Sequence, residues 1–289
     1  MFKKILAAGL FALGLGAVQP SQAADTLRFA VTDVDGLEKL QREFGPFKAE
    51  FEKISGLKVD FFPVSGRTAA VEAMAADQVD FVLTGPAEYV VFAARTKAVP
   101  VVTWQRPDYY AHVVVLADGP IKTIADLKGK KVSFHEIGST SRHLGPASAL
   151  NDKGLAYNRD YEATFVKTNV GLEALRRGDL AALGVNGNDI AGAAKKLPDL
   201  KLSILLKSAE LPDDVLIASP KVAPATIEKV RKAFLESGTQ LMGAVLATEG
   251  NQKYAGGTFK AGVSDKDYDS VRAMYRAVGI NSFDKFIGN

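Results

Sequence analysis

Residues 124–141 have the sequence IADLKGKKVSFHEIGSTS, and this stretch decides the fold class. Its pattern predicts a short helix, a turn at Gly129, a strand that ends at Phe134 and a second helix that opens at Ser139. An apolar strand that leads directly into a helix is the repeating unit of α/β domains. The stretch therefore predicts an α/β fold, and the neighbouring sequence should continue the same alternation.

The chain before this stretch alternates in the same way. Apolar runs at residues 26–32, 57–62, 79–83 and 99–104 predict strands. The segments between them have helical spacing, as in residues 36–53, where apolar side chains recur at intervals of three or four. This order of elements predicts a mostly parallel sheet with helices on both faces.

The alternation of predicted strands and helices starts again after residue 110, and the pattern is almost entirely helical from Pro224 onward. This pattern predicts two α/β lobes, with residues 25–110 and 212–289 in lobe 1 and residues 111–211 in lobe 2. The chain would then cross twice between the lobes, which makes a hinge and leaves a cleft between them. We expect the closing helices to pack on lobe 1.

The first 24 residues are typical of a signal peptide for export. Lys3 and Lys4 precede an apolar run at residues 5–18, and residues 21–23 (Ser-Gln-Ala) form a small-x-small cleavage site. The apolar run is shorter than the about 20 residues that span a bilayer. We therefore predict cleavage near Ala23 and a periplasmic mature protein, with a buried N-terminal helix as the alternative.

The composition excludes several classes of site. The chain has no cysteine, so disulfides, thiolate metal sites and cysteine nucleophiles are excluded. Its 36 basic and 33 acidic residues nearly balance, whereas a nucleic-acid partner would need a clustered basic surface. His112, His135 and His143 lack metal-ligand spacing, and we expect His143 on a helix surface. We predict no metal site, no cofactor and no catalytic residue.

The three consecutive hydroxyl residues Ser139, Thr140 and Ser141 form the most informative short segment. They follow a predicted strand and open a predicted helix. Hydroxyls and free backbone N–H groups at a helix N-terminus donate hydrogen bonds, and the helix dipole favours negative charge there. The segment therefore predicts an oxyanion site. The alternative is that Ser139 or Thr140 only caps the helix.

A second strand-to-helix junction lies at Thr84, Gly85 and Pro86. Thr84 offers a hydroxyl, Gly85 allows close approach of the backbone, and Pro86 suits the first position of a helix. Ligands of open α/β sheets lie beyond the carboxyl ends of the strands, so we expect both junctions to face the cleft. Asn186, which ends a predicted strand at 182–185, is a further candidate donor, although Asn-Gly is also a turn signal.

Taken together, the chain resembles the phosphate, phosphite and phosphonate-binding family of periplasmic proteins, which has the type II periplasmic binding protein fold. The residues that carry the resemblance are Val71–Met74, Val79–Tyr89, Ile124–Val132, Gly138–Ser141 and Pro146. The resemblance implies that Ser139, Thr140 and Ser141 grip the phosphorus oxygens. It also implies an aromatic contact near the end of the first lobe segment, which matches Tyr109 or Tyr110, and we assign this contact to Tyr110.

The chain departs from the family pattern at several positions. Arg67 stands where members that bind aminoalkyl phosphonates often have tyrosine, Arg142 replaces a common glycine, and Asn169 replaces a histidine. We expect Arg67 to repel an aminoalkyl tail and to favour a compact or more anionic ligand, unless it faces solvent. Arg142 either contacts the anion or lies on the surface. We include Arg67 and Asn169 among the predicted ligand contacts.

The resemblance implies a solute-binding protein of an ABC importer that captures a small phosphorus oxyanion or phosphonate, such as phosphite, hypophosphite or methylphosphonate. Its partners would be this ligand and the membrane subunits of an ABC permease, and the protein would act as a monomer. The alternatives are a binder of another anion, such as a sulfonate or carboxylate, and a soluble ligand-sensing module. The export signal and the lack of paired acid and base residues argue against an enzyme.

Overall fold

The computed structural model describes residues 26–287, from the first predicted strand to shortly before the C-terminus. The predicted signal peptide and its cleavage near Ala23 lie outside the described residues. No helix in this range is long and apolar enough to cross a membrane.

The strands of the described chain are β1 (Thr26–Val31), β2 (Lys58–Phe61), β3 (Phe81–Thr84), β4 (Val99–Trp104), β5 (Tyr110–Leu116), β6 (Lys131–Phe134), β7 (Glu162–Phe165), β8 (Ala182–Asn186), β9 (Leu202–Glu210), β10 (Asp214–Ala218) and β11 (Phe259–Lys260). The α-helices are α1 (Leu37–Ser55), α2 (Arg67–Ala75), α3 (Pro86–Thr96), α4 (Gly145–Asp152), α5 (Thr168–Arg177), α6 (Gly187–Lys196), α7 (Pro224–Glu236), α8 (Gly238–Val245) and α9 (Asp269–Ala277). Short 3₁₀ turns occur at Ile124–Leu127, Glu249–Tyr254 and Asp265–Tyr268, and a π-helical turn occurs at Thr140–Leu144.

The strands form two sheets, which confirms the prediction of a two-lobed α/β fold. The strand order is β11-β4-β10-β3-β1-β2 in the first sheet and β7-β6-β8-β5-β9 in the second. Parallel pairs join β1 to β2 and β3, and β6 to β7 and β8. Both sheets are nevertheless mixed and not mostly parallel. The returning strand β10 runs antiparallel between β3 and β4, and β5 runs antiparallel between β8 and β9.

The core of the first sheet is aromatic. α1 buries Leu40, Phe44, Phe47 and Phe51 on one face, because their spacing of three and four residues matches the helical repeat. Trp104 of β4 is fully buried against this face, and its ring centroid lies 5.4 Å from that of Phe47. Burying one such side chain contributes about 1.5–3 kcal/mol, so this packing holds the first sheet firmly.

The closing helices do not all cover the same sheet. α7 and α8 pack on α1 beside the first sheet, as expected, but α9 contacts both α3 and α4, which cover different sheets. The hydroxyl of Tyr275 in α9 donates to the carbonyl of Ala87 at 3.1 Å. The chain also contains the short strand β11, which the helical pattern of this region did not predict. α9 therefore bridges the two halves of the molecule.

Candidate functional site

A polar cavity of about 780 Å³ lies between the two sheets, where the parallel strands end. β1 leads into Thr32 and Asp33, β3 leads into Gly85, and β6 leads toward Ser139, and all of these residues line the cavity. Side chains that follow neighbouring parallel strands converge at the same sheet edge. The volume lies within the range of small-molecule binding pockets.

The hydroxyl cluster, defined as Ser139, Thr140 and Ser141, faces this cavity and is almost fully buried. It opens a π-helical turn, in which the backbone N–H of Leu144 donates to the carbonyl of Ser139 at 2.9 Å. Pro146 has no N–H, so it cannot donate to the carbonyl of Arg142, and the hydrogen-bond ladder of the helix is interrupted there. The N–H groups in the first turn of a helix have no partners within it, so they can donate to a ligand together with the hydroxyls.

The hydroxyl cluster contacts residues on both sides of the cavity. The backbone N–H of Ala87, at the start of α3, donates to Oγ1 of Thr140 at 3.0 Å. Nδ2 of Asn186 lies 3.4 Å from Oγ of Ser141, and its Oδ1 accepts from the N–H of Asp189 at 3.1 Å. Asn186 therefore lines the cavity and also caps α6. The Asn-Gly pair, which can signal a turn, here marks the start of a helix.

His143 lies behind the hydroxyl cluster and is fully buried, so the expected surface position is wrong. The ring packs edge-on against Phe134 and Phe165, because this face of the helix turns toward β6 and β7. Nδ1 accepts from the N–H of Gly138 at 3.0 Å, and Nε2 lies 3.1 Å from the hydroxyl of Tyr157. Burial lowers the pKa of His143 to about 4, which keeps the ring neutral and its Nδ1 an acceptor.

Arg67 lines the cavity as predicted, but its positive charge is already shared. Its Nε lies 3.1 Å from Glu136, its guanidinium lies 3.4 Å from Asp33, and it is also ion-paired with Glu88. Burial alone would lower the pKa of Arg67, but Asp33 and Glu136 outweigh it and raise the pKa. Neighbouring carboxylates compensate the positive charge of Arg67, which weakens the basis for expecting it to repel an amino group, and that expectation stays a prediction.

A second group of paired charges adjoins the first through Asp33, which is paired with both Arg67 and Lys253. Arg106 lies 3.3 Å from Asp214, and Asp214 also accepts a hydrogen bond from the Tyr254 hydroxyl at 2.7 Å. Nζ of Lys253 lies 3.4 Å from Asp33. Burial would raise the pKa of Asp33, but Lys253 and the nearby arginines outweigh burial and hold that pKa well below its usual value. Asp33 is therefore ionised at neutral pH.

The charges around the cavity nearly balance. The cationic residues that line it are Arg67, Arg106, Arg142 and Lys253. The acidic residues that line it are Asp33, Asp35, Glu88, Glu136 and Glu249. Excess positive charge is therefore absent from the described wall, and the donors for an anion are neutral hydroxyl and amide groups.

The aromatic wall of the cavity is Tyr109 and not Tyr110. Tyr109 is buried, and the Arg106 guanidinium lies 3.6 Å from its ring centroid. Burial raises the pKa of the Tyr109 hydroxyl, while Arg106 and a hydrogen bond with Ser141 act in the opposite direction. The ring of Tyr110 instead lies under Lys207, outside the cavity. Adjacent residues of an extended strand point to opposite sides, so a shift of one position corrects the assignment.

Three other candidates lie at different depths. Thr84 is buried behind the residues that line the cavity, and its hydroxyl lies 3.3 Å from that of Thr32, which does line it. Asn169 lies in α5 and lines a separate hollow, so the structure does not bring it to the cavity. Arg142 does line the cavity, but its Nε donates to Asp189 at 2.7 Å.

Sequence reasoning missed Asp33, Glu88, Arg106 and Lys253. The rule that ligands lie beyond strand ends could have found Asp33, which follows β1. Glu88 lies inside the Val79–Tyr89 segment that carries the family resemblance, but nothing in the local sequence indicates that its side chain is buried. Lys253 is 220 residues from its partner Asp33, and no spacing in the sequence indicates that they meet.

Known proteins match this chain along most of its length. The family model described as "ABC transporter, phosphonate, periplasmic substrate-binding protein" matches residues 29–268. The phosphate-import protein PhnD of Mycolicibacterium smegmatis is 28% identical over 287 residues, which cover 88% of this chain and 86% of that protein.

Solved structures share the fold. XAC2383 from Xanthomonas citri, solved bound to ATP, has a TM-score of 0.71 at 15% identity, with 88% of this chain and 97% of that chain covered. PhnD1 from Prochlorococcus marinus, solved in complex with methylphosphonate, has a TM-score of 0.66 at 17% identity, with 87% and 97% covered. At such low identities these structures show a common fold alone.

Proposed function

The chain belongs to the family of ABC transporter phosphonate, periplasmic substrate-binding proteins, and from this premise we propose that it captures a small phosphorus oxyanion or phosphonate. The observation that carries the proposal is the buried hydroxyl cluster, which opens a helix and faces the cavity. Hydroxyl and backbone N–H groups would donate to the oxygens of the ligand, and the helix N-terminus favours their negative charge.

Neutral donors are sufficient for useful affinity. A hydrogen bond to a charged group contributes about 1.5–3 kcal/mol, and micromolar binding needs about 8 kcal/mol after the entropic costs. The hydroxyl cluster, the first-turn N–H groups and Asn186 offer enough donors. Because the cations of the wall are already paired with carboxylates, the hydrogen bonds would select the ligand.

The transport role follows from the two-sheet architecture. We propose that residues 25–110 with 212–289 and residues 111–211 move as two lobes and close over the ligand. The hydrogen bond from Ala87 to Thr140 supports this proposal, since it joins elements that pack on different sheets. The closed protein would act as a monomer in the periplasm and deliver its ligand to the membrane subunits of an ABC permease.

The decisive experiment is calorimetric titration of the mature protein, freed of ligand by unfolding and refolding, with phosphate, phosphite and methylphosphonate. We expect micromolar or tighter binding of at least one. Replacing Ser139→Ala together with Ser141→Ala should weaken that binding by about 100-fold or more, since two donors to a charged ligand are lost. Thr140 stays unchanged, because its Oγ1 accepts the N–H of Ala87.

The matched control is Ser133→Ala. Ser133 is a fully buried serine in β6 that lies outside the cavity and donates to the carbonyl of Thr164 at 3.3 Å. It should cost stability without changing affinity. Unchanged affinity in the double variant would move the site away from the hydroxyl cluster, and a wild-type protein that binds none of the three anions would overturn the proposed function.

A further inference from the structure

Glu88 is the most deeply buried charged side chain on the described wall of the cavity. It is 0% exposed and lies in the first turn of α3. Its Oε1 is ion-paired with Arg67, whereas its Oε2 accepts no hydrogen bond from residues 26–287. An ionised carboxylate can accept several hydrogen bonds, and burial without them is costly. Glu88 therefore has acceptor capacity that the described residues leave unused.

The neighbouring cations do not remove this capacity. Arg67 is ion-paired with Glu88, but it also lies 3.4 Å from Asp33 and donates to both oxygens of Glu136 at 3.1 and 3.3 Å. Lys253 adds a second cation beside Asp33. Arg106 also acts on Asp33, and Asp214 lies near both Arg106 and Lys253. Three cations thus face four carboxylates, and a ligand with a hydrogen-bond donor would balance this wall better than one with acceptors alone.

Glu88 and the hydroxyl cluster line the same cavity. Ala87, the preceding residue, donates its N–H to Oγ1 of Thr140 at 3.0 Å. The carboxylate also covers Gly85, since a Cβ atom at Gly85 would lie 2.8 Å from Oε2 of Glu88. An oxyanion held by the hydroxyl cluster would therefore have donors on one side and an acceptor on the other.

We propose that Glu88 is a specificity-determining residue: it accepts a hydrogen bond from the P–OH group of a singly ionised phosphorus oxyanion and rejects oxyanions that carry no proton. The inference rests on the proposed function and narrows its ligand class. Phosphate esters keep one proton up to a second ionisation at about pH 6, and phosphonates behave similarly. Sulfate, sulfonates and ionised hypophosphite have no such proton, so they would place an acceptor against Glu88.

Discrimination against oxyanions that carry no proton should be strong because the carboxylate of Glu88 is buried. A site that holds a hydrogen-bonding partner discriminates well against analogues that lack the matching group, since its own polar group is then left unpaired. Methylphosphonate and methanesulfonate make a sharp pair of probes, because they have nearly the same shape and differ in this proton.

The first test is calorimetric titration of the mature wild-type protein and of Glu88→Gln with these two probes at about pH 6. The wild-type protein should bind methylphosphonate at least about tenfold more tightly than methanesulfonate. In Glu88→Gln the amide can donate, so methanesulfonate should bind more tightly and the preference should fall by about tenfold or more. A variant that keeps the wild-type preference would overturn the role of Glu88.

Glu249→Gln is the matched control, because Glu249 is an exposed glutamate that lines the same cavity. It removes the same charge and should leave the preference unchanged. An equal loss of preference in both variants would show that overall charge, and not the hydrogen bond to Glu88, decides the selectivity.

The second test needs no variant. Wild-type affinity for methylphosphonate and for trifluoromethylphosphonate is measured as pH rises, since fluorine lowers the second ionisation of the ligand. The pH at which affinity falls should be lower for the fluorinated ligand. A fall at one pH for both would assign the titration to a protein group and refute the inference. Equal binding of methylphosphonate and methanesulfonate would refute it while the proposed function survives, whereas no binding of any phosphorus ligand would end both.

Discussion

Two helix starts meet at the cavity, where they are joined by the hydrogen bond from Ala87 to Thr140, and they differ in what they offer to a ligand. The start at Ser139 follows β6 and presents buried hydroxyls and N–H donors. The start at Gly85 follows β3, but Glu88 places its own carboxylate over that glycine. The N-terminus of α3 therefore already has a negative charge beside it, which satisfies the helix dipole from within the chain.

This difference shows that topology alone does not define an anion site. Both starts lie at the carboxyl end of a parallel strand, so both satisfy the rule for ligand position in α/β sheets. One carboxylate in the first turn changes the second start from a donor site to an acceptor site. We infer that the cavity has two unlike faces and recognises two unlike features of one ligand.

The largest effect should come from protonating His143, the buried residue that lies behind the hydroxyl cluster. The pKa of His143 is about 4 in the folded protein, below its ordinary value of 6.5, because burial disfavours the charged ring. The folded state thus binds this proton less readily than the unfolded chain. Stability should be complete above about pH 6.5 and should fall by up to about 3 kcal/mol as the pH drops to about 4.

Urea unfolding of the wild-type protein and of His143→Gln between these pH values measures this contribution. The glutamine has no such titration, so the wild-type curve should fall more steeply, and the stability difference between the two proteins should shrink as the pH drops. Parallel curves would show that the buried ring of His143 is not the titrating group. Other acidic groups titrate in both proteins and therefore cancel in the difference.

A smaller effect should come from Gly85→Ala, which would displace the carboxylate of Glu88 at the start of α3. The φ angle of Gly85 is −78°, which alanine adopts easily, so the added Cβ acts only by pushing on the carboxylate of Glu88. We expect methylphosphonate affinity to fall by about tenfold, or about 1.4 kcal/mol. Gly187→Ala is the matched control, since nothing lies within 4 Å of a Cβ at that helix start. Titration calorimetry that finds equal affinities in the two variants would contradict the prediction.

The smallest effect should separate the two neighbouring tyrosines. Tyr109→Phe removes a hydroxyl that shares a hydrogen bond with Ser141, so affinity should fall by about fivefold, or about 1 kcal/mol. Tyr110→Phe should leave affinity unchanged, because that ring lies under Lys207 outside the cavity. The reverse order of effects in the same titration would restore the original assignment to Tyr110.

Local patterns predicted most of the fold because the periods of helices and strands are local properties. The apolar spacing of α1 and the run that forms β4 appear in the structure almost at their predicted bounds. The helical region predicted from Pro224 onward is interrupted at Ser237, between α7 and α8. It also contains the unpredicted strand β11, which has only two residues, Phe259 and Lys260. A strand of two residues forms because it pairs with a neighbouring strand, here β4, and it is too short to show a periodic pattern in the sequence.

By itself, the sequence determined the α/β alternation, the hydroxyl cluster and its position after a strand, because each of these depends on residues that are consecutive in the chain. Only the tertiary structure decided the charge of the cavity. Arg67 meets carboxylates from three separate segments, and Lys253 comes from the far end of the chain. Contacts between residues that are distant in the chain decide whether a charged group is buried and which partners it has. No local spacing in the sequence specifies those contacts.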